Sequence, residues 1–389
     1  DFYALRLNTK SDNLQYGYLG TYVDKPLTDE SAQVNSIDFL YLPSEIHRMD
    51  GNFMHSKVKD KDGFGLTAGY GYTPSKNFYS GIGIKYYDER FDLNDMGYLI
   101  LNDRLMFNGR TQFKRTTFQE GSVLRSRLFE IGYGSKFNVD SERESSNFAL
   151  KLENNFVNLS EIKAEVFYRS TGRNTRITRG SKFAPFIKMP KGMGGYIDFT
   201  GPRRPTYVYG LRFERGRGSE HSPELGWGTK SRGYLKYMPT DTLSFSLTYQ
   251  HQRENEWLNW YGDNLLATFK RKQRTSVVEM EWFRNNIHEL RIKAQMVAFT
   301  GREPQSFLGD LSGNLNPEDI YIPPITISEL AFQVRYRYEI MPLSYLYLVY
   351  SKGGRISLQD EEDDLFSLYR RPWNSPEKEN FTVKLRYRF

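Results

Sequence analysis

"NFTVKLRYRF", residues Asn380–Phe389, closes the chain and decides how the rest is read. Phe381, Val383, Leu385, Tyr387 and Phe389 are apolar, and Thr382, Lys384, Arg386 and Arg388 between them are polar or cationic. A period of two places successive side chains on opposite faces of an extended strand. The same alternation recurs upstream. Leu243, Phe245, Leu247 and Tyr249 interleave with Ser244, Ser246, Thr248 and Gln250. Leu330, Phe332, Val334, Tyr336 and Tyr338 interleave with Glu329, Gln333, Arg335, Arg337 and Glu339. Tyr207, Tyr209, Leu211 and Phe213 alternate with Gly210, Arg212 and Glu214, and Phe148, Leu150 and Leu152 with Asn147, Lys151 and Glu153. Helical periodicity is almost nowhere sustained, so the fold class is all-β.

The alternating segments run about 10–14 residues, longer than the ~5–6 of ordinary globular strands and suited to a tilted membrane crossing. Short turns, such as Thr73–Lys76, Pro239–Thr242 and Ile340–Ser344, alternate with longer connections at Arg90–Ile100, Thr171–Gly192, Glu254–Asp263, Gly301–Thr326 and Gly354–Lys378. That parity predicts a transmembrane antiparallel up-and-down β-barrel of the outer-membrane type, with tight periplasmic turns and extended outer loops. Counting back from Phe389 gives about 19 strands. An odd count with the first strand, Phe2–Lys10, descending from outside implies further strands upstream, because bacterial barrels have even counts. The expectation is a single barrel domain over residues 1–389 that lacks its first strands.

Composition agrees and excludes several classes. No stretch approaches the ~20 apolar residues of a spanning helix. The chain has no cysteine, which removes disulfide frameworks, zinc–thiolate sites and thiol nucleophiles. A net charge of +7 with 26% charged residues is too even to point to nucleic acid. Mean hydropathy is −0.66, a value compatible with a barrel because half of each strand faces a wet lumen. The chain begins "DFYALRL", so an export signal is expected to have been removed or to lie upstream.

Charges on a lipid face would cost about 2–4 kcal/mol each near the midplane. Arg212, Glu214, Arg335, Arg337, Glu339, Lys384, Arg386 and Arg388, with Lys163, Glu165, Arg291 and Lys293, are therefore expected to face the lumen as interleaved cation–anion ladders. Catalytic and metal patterns are missing: the five histidines, His47, His55, His221, His251 and His288, show no metal-ligand spacing. His251 in "YQHQREN" is the residue an outer-rim hydrolase of lipid, glycan or peptide would use, although a plain polar role is favoured about nine to one. The acidic run Asp360–Asp364 and "DLSGNLNPED" (Asp310–Asp319) lack the ligand spacing of a calcium loop. "FKRKQR" (Phe269–Arg274) fits lumen-facing or rim cations better than a nucleic-acid patch. The reading is thus non-enzymatic, with no cofactor and no metal. It leaves a barrel for passage of material or a plugged scaffold, against a soluble carbohydrate-binding β-sandwich as a third class.

Several stretches carry a family likeness. "FYALRL" (2–7), "YGYLGTYV" (16–23), "TRGSKF" (178–183), "KRKQRTSVVEMEWF" (270–283), "VRYRYEIMPLSYLYLVYSKG" (334–353) and the final "VKLRYRF" resemble an outer-membrane barrel family described as domain of unknown function 5916. The resemblance implies a few strands before residue 2, about 22 in the complete wall, and an upstream periplasmic or carbohydrate-binding family-9-like domain. It implies no catalytic residue. It also implies that Phe381, Val383, Leu385, Tyr387 and Phe389 form the signal read by the barrel-insertion machinery of a Gram-negative outer membrane. The other expected partners are outer-membrane lipids and lipopolysaccharide, together with outer-membrane proteins or surface lipoproteins in a complex; nucleic acid is not among them.

Overall fold

A computed structural model describes residues 1–26, 30–95, 97–99, 101–217, 225–285, 287–359 and 364–388. The fold is an antiparallel up-and-down β-sheet of about twenty strands, with one short helix among the described residues. Contacts divide the chain into two compact units, Asp1–Glu153 with Glu165–Arg173, and Asn154–Ala164 with Asn174–Phe389.

In the first unit, β1 (Phe2–Lys10), β2 (Leu14–Lys25), β3 (Glu30–Ser44), β4 (His47–Val58), β5 (Lys61–Ser75), β6 (Phe78–Tyr87), β7 (Arg104–Arg115) and β8 (Leu124–Phe137) each pair antiparallel with the next. The register separates the faces. Ile37 lies opposite Phe53, and Phe53 opposite Leu66; one residue along, Asp38 meets Asn52, and Asn52 meets Thr67. Then come β9 (Arg143–Phe156), β10 (Glu161–Arg169) and the three-residue β11 (Gly172–Asn174).

The second unit contains β12 (Ile187–Met189), β13 (Gly192–Thr200), β14 (Tyr207–Arg217), β15 (Trp227–Thr240), β16 (Leu243–Gly262), β17 (Leu265–Arg284), β18 (His288–Gly309), β19 (Leu315–Glu318), β20 (Ile325–Met341), β21 (Ser344–Leu358), α1 (Leu365–Asn374) and β22 (Lys378–Arg386). Each strand from β13 to β18 pairs with the next, β18 pairs with β20, and β20 to β22 continue the pattern. Leaving out the loop strands β11, β12 and β19, nineteen described strands carry the up-and-down path, the number that the alternation predicts.

Strands β16–β18 are 20, 20 and 22 residues long, which corrects the loop expected at Glu254–Asp263. The chain continues as strand through Gly262 and turns at Asp263–Asn264. Gly262 has φ +136° and Asp263 φ +41°, positive values that glycine enters freely and a β-branched residue resists. Around this outer end Leu258 and Leu266 pack on Ile187, with Ile177, Trp260 and Leu315 against them. A Cβ on Gly309 would stand 2.8 Å from Ala184, so only glycine lets that loop seat.

Fully buried side chains are few for a chain of this length, and large apolar ones on the strands stay exposed. Ile82 is 65% exposed, Leu211 62% and Leu247 47%. In water such a continuous apolar face would cost roughly 25 cal/mol per Å², and aggregation would follow. Against lipid chains the same face costs nothing.

Candidate functional site

The candidate site is the polar face of the second unit, built strand by strand by the register. On β14, Arg212 reaches Asp198 of β13 at 3.5 Å and Glu214 at 3.3 Å, with its guanidinium 3.7 Å over the Tyr196 ring. Asp198, Arg212 and Glu214, with Lys230, Arg232 and Gln250 from β15 and β16, line an open groove of about 290 Å³. On β17 and β18, Glu279 pairs with Lys293 at 2.6 Å and accepts from the Ser246 hydroxyl at 3.1 Å. Arg291 lies between Glu281, at 3.7 Å, and Glu289. Glu289 also takes Arg337 of β20 at 3.0 Å, and Arg337 stacks on Tyr345 at 5.2 Å. The signs alternate across β17, β18 and β20, so each of these charges is offset by a neighbour.

Other expected site residues sit on the same face with different surroundings. Arg335 lies opposite Arg291 and Val349, and Glu339 lies opposite Tyr345. Lys384 is opposite Tyr347, Arg386 opposite Tyr345, and the Arg388 backbone N–H donates to Ser344 Oγ at 3.0 Å. On the opposite face of β22, Phe381, Val383, Leu385 and, just beyond it, Tyr387 are exposed. Phe389 lies outside the described residues, as do His221 and Asp360–Asp363.

Toward the outer end the polar face closes over a buried charge pair that sequence reasoning missed. Glu254, 1% exposed, accepts from Arg271 at 3.1 Å, and the guanidinium stands 5.2 Å over both Trp257 and Phe299. Beyond it Ile322 packs on Ala267 and Phe269. A groove of about 890 Å³ opens beside this loop, with exposed Tyr321 and the carboxylates of Glu303, Glu318 and Asp319 along it. The Asp310 carboxylate accepts from the Ser312 and Asn314 backbone N–H groups and the Asn314 side chain, at 2.8–2.9 Å. Those bonds, the Asn314 backbone one first, hold its pKa below the usual carboxylate value and leave its oxygens engaged in a turn.

Helix α1 occupies the connection expected as a loop at Gly354–Lys378. Asp364 caps it, accepting from Ser367 N at 2.7 Å, and Pro372 lies in its last turn. It lies on the apolar face: Leu368 is buried and its carbonyl accepts from Ser328 Oγ, the Tyr369 hydroxyl is 3.2 Å from Ser276 Oγ, and Trp373 meets Phe332 edge-on at 5.3 Å. Small residues under it, Ala298 and Ser328, make the seat.

The four described histidines separate into three kinds, and His55 is alone in lying beside a carboxylate, 3.0 Å from Asp62 Oδ1. His47 and His288 each begin a strand after a short turn, bond a tyrosine hydroxyl at 2.7 Å (Tyr70 and Tyr336) and stack on the cross-strand Tyr72 and Tyr338. His251 lies on the apolar face opposite Ser231 and Arg274, with Arg253 and Lys272 near it. Those neighbours are cations, whereas a general base is usually oriented by a carboxylate. Among the described residues no three His, Asp or Glu side chains gather as a metal would need.

Solved structures similar to the chain include the siderophore receptor PirA from Pseudomonas aeruginosa, at TM-score 0.51 and 9% identity, over 90% of this chain and 72% of the receptor. PirA from Acinetobacter baumannii matches at TM-score 0.42 and 9% identity, over 96% and 72%. A loop-L8 deletion form of OmpT, an outer membrane protein of Vibrio cholerae, matches at 0.29 and 12%, over 92% and 93%. No curated protein sequence matches. The fold is that of an outer-membrane β-barrel. A family model covers residues 21–389, almost the whole length that the strand alternation occupies, and the chain belongs to the family it describes, Domain of unknown function (DUF5916).

Proposed function

We propose that the chain is a non-enzymatic barrel wall whose polar face borders an aqueous path for material crossing the outer membrane. The observation that carries this reading is the sign-alternating ladder Glu279–Lys293, Glu281–Arg291–Glu289–Arg337 on one face of strands whose other face is apolar and exposed. Groups that polar need water or partners, and a wet lumen supplies both. Arg212, Glu214, Arg335, Arg337, Glu339, Lys384, Arg386 and Arg388 line the path. On the lipid side Phe381, Val383, Leu385, Tyr387 and Phe389 form the segment that the insertion machinery reads. Outer-membrane proteins or surface lipoproteins are the candidates for assembly with it. Mixed signs favour size over charge as the selector. The outer-rim hydrolase has less support, since His251 faces cations.

Planar-bilayer conductance of the folded protein tests this. Large steps are expected, and Arg212→Glu with Arg337→Glu should move the reversal potential toward cation preference. A folded barrel that passes no current would overturn the path in favour of a scaffold. Steps indifferent to both reversals would take these residues out of the lining.

A further inference from the structure

We infer that the open groove on the polar face of β13–β16 is a subsite for a small anionic solute, one that carries a carboxylate or a phosphate. The inference rests on the reading of this face as the lining of a path and names a ligand for it. Three cations and two carboxylates meet in the groove: Arg212, Lys230 and Arg232 against Asp198 and Glu214. Arg212 takes both carboxylates, at 3.5 and 3.3 Å, and its guanidinium lies over Tyr196. Lys230 faces Glu214 across the ladder, yet that carboxylate accepts from Arg212. Arg232 lies directly opposite Arg212, a like-charge pairing that costs a sheet stability. On their other side the register gives Lys230 and Arg232 only the amides of Gln252 and Gln250. Among the described residues, neither Lys230 nor Arg232 forms an ion pair with a carboxylate. Along β17, β18 and β20 the signs cancel; in this groove positive charge is left over.

The spare cations are placed to share one anion. They stand two residues apart on the same face of β15, about 7 Å along the strand. A carboxylate or phosphate between them can take the planar fork of Arg232 and the point charge of Lys230. An anion there also offsets the repulsion between Arg232 and Arg212. Gln250 offers an amide beside the cations, and Tyr234 offers a ring. A Cβ on Gly210 would collide with that ring, so glycine is what lets Tyr234 lie along the wall. The groove therefore suits an anionic group on a short or cyclic skeleton. Its volume of about 290 Å³ is at the low end of ligand sites, which run to ~300–1,000 Å³, so it holds one small molecule and not a polymer. Arg232 is exposed, and a site open to water binds weakly and releases fast, as transit requires.

Isothermal titration of the full protein in detergent with glucose 1-phosphate, glucuronate and glucose provides the test. At least one of the two anions should bind about tenfold or more tightly than glucose, the scale of one charge-assisted contact, and which one does separates phosphate from carboxylate chemistry. Lys230→Gln/Arg232→Gln should lose that preference. Arg203→Gln/Arg204→Gln removes the same charge from the short turn between β13 and β14 and should keep it. If the first double variant fails to fold, the single Arg232→Gln, at an exposed position, should still weaken anion binding several-fold. Three results would each overturn the inference: glucose bound as tightly as both anions, unchanged anion binding in the folded groove variants, or equal loss in the turn variant. Bilayer conductance separates this outcome from that of the path. Anion binding by a folded barrel that passes no current upholds the groove and overturns the path, whereas current without anion binding does the reverse.

Discussion

Strands β15–β18 carry arginines and lysines on both faces and manage them in opposite ways. On the polar face Lys293 has Glu279 beside it, Arg291 has Glu281 and Glu289, and Arg271 has Glu254. On the apolar face the register sets cation beside cation, His251 opposite Arg274 and Arg253 opposite Lys272. A ladder of mixed sign is self-sufficient and can stand in water without a ligand.

Removing one partner from the ladder's buried end should have the largest effect. Glu254→Ala leaves the Arg271 guanidinium desolvated between Trp257 and Phe299, a change expected to cost about 3–5 kcal/mol. Urea unfolding in detergent micelles measures it, and a loss under 1 kcal/mol would show that water reaches the pair. Next comes the face assignment itself. Val278→Arg places a cation in mid-band on the apolar face and should destabilise the barrel by about 2–4 kcal/mol, while Gln250→Arg on the polar face should fall within about 0.5 kcal/mol. Equal costs would erase the distinction between the faces.

The alternation at Leu243–Arg253 and at Leu330–Tyr338 shows in the sequence because one face meets apolar surroundings throughout, and a period of two then follows from pleating alone. Past Glu254 the signal fails for a physical reason. The β16–β17 register shifts between Glu254 and Trp257, and a bulge reverses which residues share a face. "RENEWLNWYG" consequently reads as a loop although it is strand. Helix α1 had a detectable signature in Leu365, Leu368, Tyr369 and Pro372 at helical spacing behind a capping Asp364. Ten residues with an internal proline were too short a run to stand out. The charge partners were beyond reach of pattern reading, since Arg337 and Glu289 meet through register between strands 48 positions apart. In "FKRKQR" the alternation divides the cations between faces, Arg271 to the polar one and Lys272 and Arg274 to the other.

The smallest effect belongs to the exposed middle of the ladder, and it sharpens the comparison most. Glu279 and Lys293 keep 40% and 55% of their side-chain surface, so water screens their attraction and the pair should contribute below about 1 kcal/mol. A double-mutant cycle with Glu279→Gln and Lys293→Gln reads the coupling directly. Adding salt to 1 M shortens the screening length to about 3 Å and should remove most of what is left. A coupling above 2 kcal/mol that survives salt would mean the polar face is dry at this depth. Water would then be absent where an open path needs it, and the ladder would serve to fasten a filled interior.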